Sequence, residues 1–202
     1  LNDARNIMRR FPTIDPLDPC IVVAGAPNVG KSALISALSS GEPEVNAYPF
    51  TTKRLHVGHF EHRRRTYQMV DTPGLLDRPM VERNDIEMQA IAALENVGSI
   101  AVYLMDPSES GGNSMHTQEN LLAEVTDMLG NTPVLVVDGK MDLLGLKEGD
   151  TINPDSGHIA ISATEGWGLE ELKSILIEKI GADNVEDPLE LPEGWHRKHR
   201  PE

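Results

Sequence analysis

The sequence predicts an α/β domain with a mostly parallel, six-stranded sheet, one antiparallel edge strand and helices on both faces. Three observations carry that prediction. Short, fully apolar runs such as CIVVAG and SIAVYLM alternate with amphipathic segments of helical spacing, and a sheet covered on both faces needs strands of that kind. A chain of 202 residues is long enough for one substantial core. No apolar run approaches the roughly 18 to 20 residues that cross a bilayer, so no membrane span is expected.

The elements follow in order. LNDARNIMRRFPTIDP has helical spacing at Leu1, Ile7 and Met8 and is broken by Pro12 and Pro16, so residues 1–17 read as a remnant, the last turns of a preceding helical element. CIVVAG is the first strand, and KSALISALSS is a helix stopped by Gly41. RLHVGHF and TYQMVD are two strands, and the HRRR turn between them makes them a hairpin. A helix around Asp85 to Asn96, the strand SIAVYLMD, a helix from about Met115 to Leu129 and the strand TPVLVVD come next. HIAIS and GLEELKSILIEKIG close the pattern, so the domain covers 18–182. The proline-rich, charged segment 183–202 reads as a tail or linker.

Composition narrows the partners. A formal net charge of −14 excludes a nucleic-acid surface spread over the whole domain, so DNA binding is not expected and any RNA contact is local. Two basic stretches qualify for such contact, His62-Arg63-Arg64-Arg65 and HRKHR at 196–200, each explained equally well as solvated charge. The single cysteine, Cys20, rules out an internal disulfide, reads as a small buried residue opening a strand, and leads to the expectation of a cytoplasmic location. The seven histidines form no paired ligand set at metal-binding spacing. Trp167, in a GWG loop, reads as a packing or turn residue rather than a stacking platform.

Chemistry concentrates where strands end. GAPNVGKS, residues 25–32, fits G-x-x-x-x-G-K-[ST] between a strand and a helix. In that context the backbone of Gly25, Ala26, Pro27, Asn28, Val29 and Gly30 surrounds phosphates, aided by the helix N-terminus, whose first turn includes Ala33. Lys31 reaches the β and γ phosphates, and the Ser32 hydroxyl ligates Mg²⁺. Other strand ends carry Asp71, Asp106 and the KMD segment. Asp71 begins DTPG (Asp71, Thr72, Pro73, Gly74), where the aspartate holds Mg²⁺ through a water and the glycine N–H approaches a γ-phosphate.

GAPNVGKS, YPFTT at 48–52, DTPGLLDRP at 71–79 and ISATEGWG at 161–168 together resemble a translation-factor-related GTPase. VGHF at 57–60 followed by DTPGLLDRPMVERNDIEMQAIAAL at 71–94 is similar to the Nog family of ribosome-assembly GTPases, which are related to Obg, over about residues 1–181. The resemblance implies a Ras-like, P-loop NTPase fold and GTP hydrolysis to GDP with Mg²⁺. It also implies a role on the precursor of the large ribosomal subunit, its rRNA and its ribosomal proteins. It makes Thr52, ahead of Thr51, the switch threonine that closes on Mg²⁺ and the γ-phosphate. Gly74 joins Asp71 in the second switch, and Ser162, Ala163 and Thr164 form the loop whose backbone meets the guanine carbonyl. Similar GTPases with asparagine at the position of Asn28 bind K⁺ there; the other reading is that Asn28 stabilises the loop turn.

Two departures weigh on activity. Leu75 stands where many such enzymes carry the glutamine that orients the attacking water, so intrinsic hydrolysis is expected to be slow. VVDGKMDLL at 136–144 keeps the lysine and aspartate of the NKxD base loop, as Lys140 and Asp142, but has Gly139 in place of asparagine. The expectation is weakened nucleotide binding with guanine preference retained, tightened by Gly139→Asn, with Asp138 a poor substitute because its side chain points to the opposite face. The competing readings are a non-catalytic scaffold on pre-ribosomal particles and an NTPase without strict base preference.

Overall fold

A computed structural model of the protein describes residues 15, 18–47, 54–71, 76–77, 91 and 98–181. Strands β1 (Cys20–Ala24), β2 (Glu44–Ala47), β3 (Arg54–His62), β4 (Arg65–Asp71), β5 (Gly98–Met105), β6 (Val134–Asp138) and β7 (Ile159–Ala160) make one sheet, in the order β2-β3-β4-β1-β5-β6-β7. The described helices are α1 (Lys31–Leu38), α2 (Met115–Met128) and α3 (Leu169–Ile180). The expected helix at 85–96 lies outside the described residues apart from Ile91, which is helical and buried.

The apolar runs end up where their composition requires. Every residue of β1 is buried, and β5 is buried from Ile100 to Met105. β1 pairs in parallel with both β4 and β5, and the parallel run continues through β6 to β7. Cys20 opens β1 fully buried, and burial pushes its thiol up to about 12, so it is an inert packing group.

Two details differ from the predicted sheet. It has seven strands, because EVNA also pairs as β2; its one branched apolar residue, Val45, is 51% exposed, so no alternation marked the segment. β3 is the strand that runs antiparallel to its neighbours, and it lies one place in from the edge.

The predicted hairpin is present. Arg63 and Arg64 both take left-handed φ, 46° and 65°, as a two-residue turn matched to strand twist requires. Phe60 and Tyr67 face each other across it as stacked rings 5.0 Å apart. Gly58 of β3 lies so close to α1 that an added Cβ would stand 2.1 Å from Ser39 Oγ and 2.6 Å from Ile35 Cγ2.

Ahead of β1 the linker is pinned to the sheet by buried Gln68. Its Oε1 accepts from the Asp15 N–H at 2.7 Å, and its Nε2 donates to the carbonyls of Asp15 (2.8 Å) and Asp18 (3.2 Å).

Candidate functional site

β1 lies between β4 and β5, the strands before it in the sheet being built from one edge inward and those after it outward, so β1 is the point at which strand order reverses. In such sheets the crevice beyond the strands' carboxyl ends at that point is the natural ligand site. Residues 25–32 fill it. Gly25 has φ 139°, and a Cβ there would lie 2.4 Å from the Leu104 carbonyl oxygen, so only glycine permits the approach to β5. Ala26 and Val29 are buried, Pro27 and Asn28 project outward, and Gly30, at φ 108°, turns the chain into α1. Asn28 sits at φ 62°, a left-handed conformation that asparagine tolerates better than most residues, which accounts for its presence independently of any ion.

Lys31, 8% exposed, curls back over the loop and donates to the Gly25 and Ala26 carbonyls, both at 2.9 Å. Burial lowers the pKa of its ammonium, while Asp71 and Asp77 act in the opposite direction. Ser32 and Ala33 lie exposed in the first turn of α1. Ser32 Oγ donates to Asp71 Oδ2 at 2.8 Å, so the two predicted metal-facing oxygens meet. Asp71 is 1% exposed, and its Oδ1 is buried without a hydrogen-bond partner among the described residues. An orphaned carboxylate oxygen beside a serine hydroxyl is a hard-oxygen arrangement that fits Mg²⁺ or its bound water. His56 Nδ1 stands 3.7 Å from Asp71 Oδ2 on the neighbouring strand. Thr52, Thr72, Pro73, Gly74 and Leu75 lie outside the described residues.

The base loop follows β6. Asp138, Gly139 and Lys140 diverge in three directions. The Asp138 carboxylate meets His158 Nδ1 at 3.2 and 3.3 Å, which engages it away from Lys140 and Asp142, as the strand alternation predicted. Gly139 donates its N–H to the Met105 carbonyl at 2.8 Å and is buried against Leu104. Lys140, at φ 56°, sends Nζ to the Asn28 carbonyl (2.7 Å), Asp106 Oδ2 (2.7 Å) and Ser110 Oγ (2.9 Å). A short 3-10 turn, Met141–Leu144, then presents Asp142, whose Oδ1 accepts from Ser162 Oγ at 2.6 Å. Ser162 is fully buried, while Ala163 is half-buried and Thr164 exposed on the same loop. That loop is closed by the Ser162 N–H donating to the Trp167 carbonyl at 3.1 Å, a turn role for Trp167.

Sequence reasoning marked Asp106 only as a strand end. It is 1% exposed and accepts from Lys140, Ser108, Ser110 and the Gly111 N–H. Burial alone would raise its carboxyl, but Lys140, Ser108 and the Gly111 N–H outweigh that and hold it below the ordinary value. The Lys140 bond ties it to the site, and that bond spans 34 residues.

A phosphate loop, a strand-end aspartate beside its serine, and a lysine–aspartate base loop on one sheet edge define a P-loop GTPase domain. The model of the 50S ribosome-binding GTPase family matches residues 20–140, and the chain belongs to that family, among relatives of the Nog type. It is 42% identical over 144 residues to nucleolar GTP-binding protein 1 of Drosophila melanogaster, covering 71% of this chain and 22% of the relative. It is 46% identical over 141 residues to an uncharacterised protein of Methanocaldococcus jannaschii, covering 70% and 39% respectively. A solved structure described as nucleolar GTP-binding protein 1 of Plasmodium falciparum superimposes with a TM-score of 0.71 at 30% identity, covering 86% of this chain and 92% of that one. The chain therefore spans about a fifth to two fifths of the length of these curated relatives. The family membership establishes a guanine-nucleotide-binding GTPase fold.

These names overturn the cytoplasmic expectation, because the Drosophila and Plasmodium relatives are named for the nucleolus. The physical reason is plain. A lone cysteine reports a reducing compartment, and the nucleus shares that property with the cytosol.

Proposed function

We propose that this chain is a GTP-binding and GTP-hydrolysing switch domain that acts in assembly of the large ribosomal subunit. The observation that carries this reading is the convergence on one sheet edge of Lys31, the Ser32–Asp71 pair and the Lys140–Asp142 loop. In this reading residues 25–33 hold the phosphates, Lys31 neutralises charge on the β and γ groups, and Ser32, Thr52 and Asp71 hold Mg²⁺. Mg²⁺, when bound, supplies positive charge to the phosphate oxygens. Thr52, with Asp71, Thr72, Pro73 and Gly74, reports the γ-phosphate. Asp142 accepts hydrogen bonds from guanine N1 and N2, Lys140 covers the base plane, and the Ser162-Ala163-Thr164 backbone meets the guanine carbonyl. Asn28 is the position at which K⁺ would add charge near the leaving phosphate.

Leu75 cannot orient water by hydrogen bonding, so intrinsic hydrolysis is slow and rises on a ribosomal partner. Residues 18–182 form the GTPase domain, 1–17 the end of a preceding helical domain and 183–202 a linker. The Arg63–Arg64 turn, at the end of the β3–β4 hairpin, is where rRNA phosphates would meet an otherwise acidic domain.

Calorimetric titration with GTP, GDP and ATP tests the reading: binding of the guanine nucleotides but not ATP supports it, and undetectable GTP and GDP binding overturns it. Turnover of GTP, measured with and without large-subunit precursors, separates an enzyme from a scaffold. Equal rates in K⁺ and Na⁺ at matched ionic strength would remove the potassium assignment.

A further inference from the structure

We propose that Asp106 is a positioning residue that ties the base loop to the phosphate loop, taking over the tether that asparagine at position 139 would supply. This rests on the guanine-nucleotide reading above and adds to it the reason why Gly139 is tolerated.

The two oxygens of Asp106 serve different ends. Oδ1 accepts from the Ser108 N–H at 3.1 Å and from the Ser108 hydroxyl, forming a local turn at the end of β5. Oδ2 faces the other way and gathers Lys140 Nζ (2.7 Å), the Gly111 N–H (2.9 Å) and Ser110 Oγ (3.1 Å). Lys140 Nζ in turn donates to the Asn28 carbonyl, so one ammonium bridges a buried carboxylate and the outer turn of the phosphate loop.

A second strut runs beside the first. Asn113 Nδ2 donates to the Pro27 carbonyl at 2.9 Å, the next carbonyl along the same turn. Gly111 brings its backbone so near that a Cβ there would stand 2.9 Å from the Asn28 carbonyl oxygen and 3.2 Å from Asp106 Oδ2. The base of this loop is held by fully buried Gln118 of α2. Its Oε1 accepts from the Asp106 N–H at 2.7 Å, and its Nε2 donates to the carbonyls of Asp106 (3.0 Å) and Asn113 (2.9 Å).

The space at position 139 is filled as well. A Cβ on Gly139 would stand 3.0 Å from Leu104 Cδ1 and 3.3 Å from the Met105 carbonyl oxygen. Leu104 thus closes in beside position 139, and the end of the same strand supplies Asp106. An ammonium held by a carboxylate is a stronger anchor than a neutral amide, because charge-assisted hydrogen bonds are roughly twice as strong.

Asp106→Asn separates the two oxygens' roles, since an amide can still accept from Ser108 while its NH₂ opposes Lys140. In the 202-residue chain, calorimetry with GTP and GDP should show both affinities reduced at least about 10-fold by Asp106→Asn, with the GTP:GDP ratio unchanged. In a Lys140→Ala background the same change should alter either affinity less than about twofold, as expected for residues acting through one contact. Independent, multiplying effects, or an Asp106→Asn chain that binds within twofold of the parent, would overturn the proposal.

Hydrogen exchange without nucleotide supplies the second measurement. Asp106→Asn should speed exchange in 25–33 and 139–145 together, and unchanged exchange in either segment counts against the tether. A parent chain that binds no guanine nucleotide would overturn the proposed function while exchange still tests the tether. Ser110→Ala, milder and remote from the core, should give the same pattern at smaller size if Asp106→Asn does not fold.

Discussion

Ser162 Oγ donates a 2.6 Å hydrogen bond to Asp142 Oδ1, and so joins the base loop after β6 to the loop after β7. The same hydroxyl accepts from the Glu165 N–H at 3.1 Å, which leaves it one rotamer and one direction in which to point. Ser162→Ala removes the bond but little volume. A hydrogen bond of this kind contributes about 0.5 to 1.5 kcal/mol, so GTP and GDP affinity should each fall roughly 2- to 12-fold. Isothermal calorimetry on both nucleotides checks this; a loss confined to GTP would show that the effect reaches the γ-phosphate instead.

Gly139→Asn is the substitution that the NKxD pattern recommends for tighter binding, and the packing around position 139 works against it. The added Cβ presses Leu104 Cδ1 at 3.0 Å and the Met105 carbonyl at 3.3 Å, in a core where overpacking costs about 1 to 3 kcal/mol. The expected result is a lower Tm and no gain in GTP affinity. A gain with unchanged Tm would show that Leu104 yields easily.

Asp106 should leave a mark on acid stability. Its carboxyl is held below the ordinary value, so it stabilises the fold at pH values above the unfolded carboxylate pKa of about 3.9. That contribution disappears as pH falls through the lower, folded value. The Tm difference between the parent chain and Asp106→Asn should therefore be constant above about pH 5 and shrink below about pH 4. Thermal unfolding across that range, at fixed salt, is the measurement.

Gly58 explains part of the VGHF sequence. A methyl group there would displace Ser39 and Ile35 of the α1 region, from which it stands only 2.1 and 2.6 Å. Gly58→Ala should destabilise the domain by about 1 to 3 kcal/mol, with Tm falling roughly 2 to 4 °C for each kcal/mol. Calorimetric unfolding of the ligand-free chain would detect it.

What the sequence made legible was whatever local pattern encodes. The apolar strands β1, β4, β5 and β6, the helices α1, α2 and α3, and the phosphate loop all announced themselves through spacing and punctuation. β2 did not, because EVNA draws its stability from pairing with β3 rather than from its own apolar content. Asp106 was marked only as a strand end, and Ser110 and Asn113 not at all. Their roles depend on a lysine and a phosphate loop 34 and 86 residues away, and such distances leave no periodic trace. Motif residues likewise pointed to the family, whereas one cysteine does not distinguish between two reducing compartments.

The divergence of Asp138, Gly139 and Lys140 has a bearing on engineering. A four-residue base loop is commonly regarded as an exchangeable cassette, but here its first two positions are committed to Leu104 and to Asp106 with Asn28, and Asp138 just before them to His158. Grafting in a loop from another GTPase would strand a buried carboxylate on β5 and crowd its leucine. The portable unit is the pair of adjacent strand ends, β5 with its following loop and β6 with its own, moved together.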